Sequence, residues 1–104
     1  MRHATMDEDA PKILTLQAEG CVRDPNGLHL KVATTISNLC RHSRSKVTIT
    51  RVDAQREADA KSPLALLALD ATHARRLRIL VEGPDARETM AALEPHFTLQ
   101  APTE

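Results

Sequence analysis

The chain has 104 residues, which suffices for one folded domain and leaves no room for two independent cores. Hydrophobic residues make up 41% of it, but it contains one Phe and neither Tyr nor Trp, so its core must be aliphatic and nucleic-acid binding by base stacking is disfavoured. Fourteen basic and fourteen acidic residues cancel, and the total charge therefore indicates no class of partner.

Residues 1–12 are polar and charged, and we expect them to be flexible. They lack the apolar run of a signal peptide, and no stretch reaches the ~18 apolar residues of a membrane-spanning helix. We therefore expect a cytoplasmic protein without membrane association. Cys21 and Cys40 would then stay reduced, and we expect both to be small buried hydrophobes. A thiol or metal-binding protein that uses this pair is the weakest alternative.

The first half of the chain predicts a strand, a turn and a helix. From Leu14 to about residue 23 apolar and polar side chains alternate, which is typical of a half-buried strand. Residues 24–27, Asp-Pro-Asn-Gly, form a dense turn signal. After His29 the apolar period becomes helical, and we predict an amphipathic helix over residues 30–42.

A hairpin and a short helix are predicted next. Residues 46–51, KVTITR, alternate and are rich in β-branched side chains, and residues 56–60 would pair with them across a turn near residues 53–55. Ser62 is suited to cap a helix, and Pro63 to its first position, because the missing N–H would be unbonded there anyway. This leucine-rich helix would end near Asp70.

The last predicted elements are a strand over residues 76–82 and a helix that begins after residues 83–85, with a flexible tail at residues 99–104. The apolar stripe of this helix consists of Ala86, Met90 and Leu93 and is closed by Phe97. The order β-α-β-β-α-β-α predicts the α+β class, with one domain over residues 13–98. We expect an open-faced β-sandwich, in which a four-stranded antiparallel sheet carries three helices on one face.

The basic residues concentrate between Gly20 and Val52. Six of them lie in this segment against the single acid Asp24, whereas the remaining segments are net acidic. This distribution favours a basic surface for an anionic ligand or an acidic partner. The alternative is a solvated basic face without a ligand.

His29 is the candidate for chemistry. It directly precedes a predicted helix, whose first backbone N–H groups lack partners and whose positive end attracts anions. An anion beside the ring could be held by the N–H groups of Leu30 and Lys31, with the Lys31 ammonium beside it. The alternative is a histidine that only caps the helix or shapes the turn.

These local sequences are similar to those of HPr, the histidine-containing phosphocarrier of the phosphotransferase system. The similarity lies in residues 25–29, Pro-Asn-Gly-Leu-His, in Lys61-Ser62 before a short leucine-rich helix, in Glu82-Gly83 before the last helix, and in the order of elements. It covers roughly residues 15–97. Three departures stand out, with Lys31, Val32 and Asp70 at places where the family has arginine, proline and glycine.

The resemblance implies roles for individual residues. His29 would accept the phosphoryl group on Nδ1, with Leu30 and Lys31 at the phosphate and Asn26 shaping the loop or bonding the ring. Ser62 would be a regulatory site for an HPr kinase, although Pro63 after it favours the simpler role of a cap.

Leu64 and Leu67 align with exposed docking positions of the family. The alternative for both is core packing, for which Leu66 and Leu69 are the better candidates.

The function implied is that of a monomeric phosphocarrier. It would accept a phosphoryl group from enzyme I and pass it to an EIIA-type domain, as a transfer intermediate and not a self-sufficient enzyme, with no cofactor and no metal. The changes at Lys31 and Val32 motivate the alternative of an HPr-like regulatory binding module that no longer carries phosphate.

Overall fold

A computed structural model describes residues 13–100 of the chain. The predicted flexible segment 1–12 and residues 101–104 of the predicted tail lie outside the described residues. The elements are β1 (Leu14–Val22), α1 (Leu30–Arg41), β2 (Lys46–Arg51), β3 (Arg56–Asp59), α2 (Pro63–Ala68), β4 (Leu77–Gly83), α3 (Ala86–Leu93), a 3₁₀ turn (Glu94–His96) and β5 (Phe97–Leu99). Every predicted element is present, and apart from the end of α3 the ends of the elements lie within about two residues of the predicted ones.

The strands form one antiparallel sheet in the order β3-β2-β4-β1-β5. The fold is therefore α+β with three helices, as predicted, but the sheet has five strands and not four. Strands β1 and β4 pair along most of their length, from Leu14 opposite Gly83 to Gly20 opposite Leu77. The end of β1, where the loop that carries His29 begins, therefore lies beside the start of β4.

The fifth strand corrects the prediction for Phe97. Instead of closing the stripe of α3, Phe97 begins β5, lies opposite Val22 of β1 and is 1% exposed. Pro95 explains the difference, because proline cannot donate an amide hydrogen within a helix and the chain here tightens into a 3₁₀ turn before it reverses. The N–H of Gln100 still donates to the carbonyl of Glu19 at 2.8 Å, so the domain extends beyond the predicted boundary at residue 98.

The core lies between the sheet and the helices and is aliphatic, as the composition predicts. Alternate residues of β4 are fully buried, and each buried Leu, Ile or Val side chain stabilises the fold by about 1.5–3 kcal/mol relative to exposure. Residues that are 0% exposed and fill the layer include Ile36, Val47, Ile49, Leu66, Leu77, Ile79, Val81 and Leu93. Within residues 13–100, none of the helices combines the length and the apolar character that a membrane span requires.

Two residues with positive φ fix the loop before α1 against the loop after α2. Gly27 has a φ of 79°, and a Cβ at this position would lie 2.7 Å from the carbonyl oxygen of Ala71. The next residue, Leu28, donates its N–H to that same oxygen at 2.9 Å. Asp70 has a φ of 52°, a conformation that aspartate tolerates better than most residues and that fits its place at a family glycine.

Candidate functional site

His29 is the N-cap residue of α1. Its backbone is extended, with φ −87° and ψ 178°, and its carbonyl accepts the first helical hydrogen bond, from the N–H of Ala33 at 2.8 Å. Its ring makes no capping hydrogen bond, and the side chain is 36% exposed. The imidazole is therefore available to a partner, whereas an N-cap serine or aspartate would turn its side chain onto the helix.

The first turn of α1 presents unpaired donors beside this ring. Among the hydrogen bonds of residues 13–100, none uses the backbone N–H of Leu30, Lys31 or Val32. The first N–H groups of any helix lack partners within the helix, and together with the helix dipole they favour an anion. Lys31 is exposed in the same turn.

Asp24 is the residue that contacts the ring. The Nε2 of His29 lies 3.2 Å from Oδ2 of Asp24, and the other carboxylate oxygen accepts the N–H of Asn26 at 2.8 Å. The Asn26 N–H holds the pKa of Asp24 below its usual range, and the hydrogen bond with His29 and the charge of Lys31 act in the same direction. The charge of Lys31 therefore helps to keep the Asp24 carboxylate beside the ring ionised.

This role of Asp24 was not predicted from the sequence, and Asn26 was expected to shape the loop or to bond the ring. Asn26 is exposed, and within the described residues its side chain makes no hydrogen bond; only its backbone N–H takes part in the loop. The available signal was the aspartate itself, since an Asp often bonds the backbone N–H two residues on and so builds a turn. The contact between Asp24 and His29 was not predictable from their spacing of five residues, because in a loop this spacing does not fix the direction of either side chain.

His73 braces the same loop from the segment after α2. Its Nδ1 lies 2.8 Å from the carbonyl oxygen of Val22 and 3.2 Å from that of Asp24. Carbonyl oxygens only accept hydrogen bonds, so this nitrogen carries the proton and donates it. The residue thus joins the end of β1 to the loop that carries His29.

The residues predicted on α2 divide into capping, core and surface positions. Ser62 caps the helix, and its Oγ accepts the N–H of Ala65 at 3.1 Å. Leu66 and Leu69 are buried, as the better core candidates should be, whereas Leu64 is 76% exposed. Leu67 is partly buried and packs against the core, so it offers less free surface than the resemblance implies.

Helices α1 and α2 contact each other, so their exposed leucines belong to one helical layer. The hydroxyl of Ser37, fully buried on α1, donates to the carbonyl of Lys61 at 2.8 Å, directly before the start of α2. Leu30, at the first position of α1, is 63% exposed. An exposed leucine therefore lies in the first turn of each helix.

The basic residues of the predicted basic surface differ in what they contact. Arg51 forms an ion pair with Asp53 at 2.7 Å, and Arg23 donates to the carbonyl of Phe97 at 3.1 Å. Lys31 is exposed in the first turn of α1, two residues after His29.

The cysteines are free thiols and lie apart from His29 in the chain. Cys40 is fully buried, and desolvation raises the pKa of its thiol to about 11, which disfavours the reactive thiolate. Cys21 is only partly buried, which differs from the expectation that both are core residues.

Comparison with known proteins identifies one family. The family model described as the PTS HPr component phosphorylation site matches residues 16–98. The multiphosphoryl transfer protein of Escherichia coli O157:H7 is 32% identical over 87 residues, and that of Salmonella typhimurium is 31% identical over 87 residues. Each alignment covers 83% of this chain but only 23% of the relative, so the chain spans about a quarter of the length of these relatives.

Solved structures agree on the fold. A phosphocarrier protein HPr from Bacillus anthracis superposes with a TM-score of 0.73 at 23% identity, covering 81% of this chain and 98% of that one. A histidine-containing phosphocarrier protein from Mycoplasma gives 0.72 at 20% identity, covering 78% and 90%. At these identities the two structures establish a shared architecture of sheet and helices.

Proposed function

Because the chain belongs to the PTS HPr family, we propose that it acts as a phosphocarrier in which His29 accepts a phosphoryl group from enzyme I and passes it to an EIIA-type domain. The observation that carries this proposal is the N-terminus of α1, where a partly exposed imidazole adjoins three backbone N–H groups without partners among residues 13–100. The role is that of a transfer intermediate, and its place of action is the cytoplasm.

The geometry supports nucleophilic transfer in two short steps. In the first, a ring nitrogen of His29 uses its lone pair to form a bond to phosphorus, while the bond from phosphorus to the donor's leaving atom breaks. The phosphoryl oxygens then lie within reach of the N–H groups of Leu30 and Lys31, which stabilise their charge. In the second step the acceptor attacks phosphorus, the N–P bond breaks, and its electrons return to the ring.

Lys31 sets how firmly the phosphoryl group is held. Its ammonium supplies charge from a flexible stem, whereas the arginine of the family would offer a planar fork for two parallel hydrogen bonds. We expect Lys31→Arg to lengthen the lifetime of the phosphoryl adduct, Lys31→Ala to reduce acceptance, and Lys31→Glu to reduce it most. Adduct formation and decay, followed by intact-protein mass spectrometry, measure all three. Parent-like behaviour of all three variants would show that the backbone donors suffice.

The partner surface lies on the same helical layer. Exposed Leu30 and Leu64 present apolar area in the first turns of α1 and α2, and such area supports docking of a protein partner. Leu67 is partly buried and adds only a small exposed area to this partner surface.

Phosphorylation of Ser62 by an HPr kinase stays a prediction. The hydrogen bond from the N–H of Ala65 to the Ser62 hydroxyl explains this serine as a helix cap without any phosphorylation.

One experiment tests the proposal. The parent is incubated with phosphoenolpyruvate and the cognate enzyme I, and the intact protein is then weighed. A single acid-labile phosphoryl adduct is expected on the parent and on His42→Ala, a control that removes an exposed histidine of α1's C-cap, and no adduct on His29→Ala. An adduct that persists on His29→Ala and maps to His42 or His73 would show that the acceptor is misassigned. A parent without any adduct would favour the regulatory module.

A further inference from the structure

The contact between Asp24 and His29 carries an inference about the proton of the ring. A carboxylate only accepts hydrogen bonds, and the pKa of Asp24 is held below its usual range, so the group is ionised at neutral pH. Its Oδ2 lies 3.2 Å from Nε2 of His29. The nitrogen that faces it must therefore carry the hydrogen. In a neutral ring, the hydrogen on Nε2 leaves the lone pair on Nδ1.

We propose that Asp24 is a positioning residue that fixes the proton of His29 on Nε2, makes Nδ1 the nucleophile and serves as the counter-ion of the phosphorylated ring. This inference rests on the proposed function of His29 and assigns a role to a residue five positions earlier in the loop. The Asp24 carboxylate contacts the ring and not the reacting phosphorus, so it acts through His29.

The transfer balances without a proton donor or acceptor. The lone pair of Nδ1 forms the N–P bond while the donor's bond to phosphorus breaks, and the ring, still protonated on Nε2, becomes cationic. The Asp24 carboxylate lies against this cation. When the next acceptor attacks, the N–P electrons return to Nδ1 and the ring is neutral again, with the same hydrogen on Nε2 throughout.

The loop holds the carboxylate in place for this role. Oδ1 of Asp24 accepts the N–H of Asn26 at 2.8 Å, which leaves Oδ2 for the ring, and the Asp24 carbonyl accepts the Nδ1–H of His73 at 3.2 Å. The positive charge of Lys31 also acts on the carboxylate. The carboxylate lies closer to the ring cation than to a phosphoryl group on the far nitrogen, and the first turn of α1 together with Lys31 offsets the negative charge of that phosphoryl group.

Three variants separate the charge from the shape of the loop. Asp24→Asn keeps an oxygen for the N–H of Asn26 but presents an amide N–H₂ to the ring, which cannot accept the Nε2 hydrogen. Asp24→Ala removes both contacts. Glu88→Gln makes the same change of charge as Asp24→Asn at an exposed position of α3 and is the matched control.

The first measurement needs no phosphoryl donor. The ¹⁵N resonances of the His29 ring are recorded at pH 8.5, well above the reference imidazole pKa of about 6.5. The parent and Glu88→Gln should show Nε2 as the protonated nitrogen and Nδ1 as the unprotonated one, and Asp24→Asn should lose this preference. The second measurement is the rate of phosphoryl acceptance, which should fall about fivefold in Asp24→Asn, the size of a partly exposed ion pair.

The outcomes distinguish the two proposals. Ring resonances of Asp24→Asn that match the parent would overturn the role of Asp24, and so would a defect confined to Asp24→Ala, because that pattern assigns the residue to loop shape alone. A parent that accepts no phosphoryl group would overturn the proposed function, while the nitrogen resonances would still decide where Asp24 places the proton.

Discussion

Helices α1 and α2 both begin after a residue with an extended backbone, but the two N-cap side chains behave differently. Ser62 turns its Oγ onto the N–H of Ala65, three residues on, at 3.1 Å. His29 makes no such contact, and within the described residues the N–H groups of Leu30, Lys31 and Val32 stay unpaired. The N-cap side chain of α2 therefore bonds one of the free backbone N–H groups of its helix, whereas the N-cap side chain of α1 bonds none.

The difference shows where this fold gives up the stability that a capping side chain provides. A serine, aspartate or asparagine cap stabilises a helix by about 1 kcal/mol relative to alanine, and α1 forgoes this contribution. Its open donors are what an incoming anion requires. The imidazole at this position bonds Asp24 instead, and its exposed fraction of 36% leaves room for a partner.

The largest expected effect comes from giving α1 the cap of α2. His29→Ser should abolish phosphoryl acceptance, because the nucleophile is gone. It should also raise the free energy of unfolding by about 0.5–1 kcal/mol over His29→Ala, because a serine at position 29 reaches the N–H of Val32. Intact-protein mass spectrometry and urea denaturation measure the two effects. Equal stability of the serine and alanine variants would contradict the inference that a backbone N–H in the first turn of α1 is free to donate to a capping side chain.

The reverse change removes the cap from α2. Ser62→Ala should lower the free energy of unfolding by about 1 kcal/mol, and Ser62→Asp should restore most of it, since aspartate also caps and its charge suits the positive helix end. Phosphoryl acceptance should stay at the parent level in both. A tenfold loss of acceptance in Ser62→Ala at unchanged stability would place this N-terminus in the transfer site.

The N-terminus of α3 has an ionisable N-cap side chain, so its stabilisation depends on pH. The carboxylate of Asp85, the N-cap residue of α3, accepts the N–H of Arg44 at 2.9 Å and the hydroxyls of Ser43 and Ser45, and these contacts lower its pKa to about 2. Because the folded-state pKa lies below the unfolded value of about 3.9, the stabilisation is present above pH 4 and is lost as the pH falls toward 2.

Screening by water at this partly exposed site limits the effect to about 1 kcal/mol. Urea denaturation of the parent and Asp85→Asn at pH 7, 4 and 2 measures it, with Glu88→Gln as the control of equal charge. The stability gap between parent and Asp85→Asn should shrink from pH 4 to pH 2. A constant gap would show that the carboxylate charge plays no part in joining α3 to the segment before β2.

Much of the fold was predictable from local pattern. Alternation identified β1, β2 and β4, and the signal of Ser62 and Pro63 identified the start of α2, because capping and periodicity depend on near neighbours in sequence. The placement of Phe97 in α3 was wrong. Its strand has three residues, too few for a period, and it exists only because β1 offers an edge with which it pairs.

By itself, the sequence determined the order of the first seven elements, an aliphatic core and a histidine before a helix, since each follows from composition or from contacts within a few residues. Only the tertiary structure decided the fifth strand, the close fit of Gly27 against Ala71, and the partial burial of Leu67. It also decided that Asp24, and not Asn26, bonds the His29 ring. These features depend on contacts between segments that are distant in sequence and on the direction of side chains in loops. The spacing of residues along the chain determines neither.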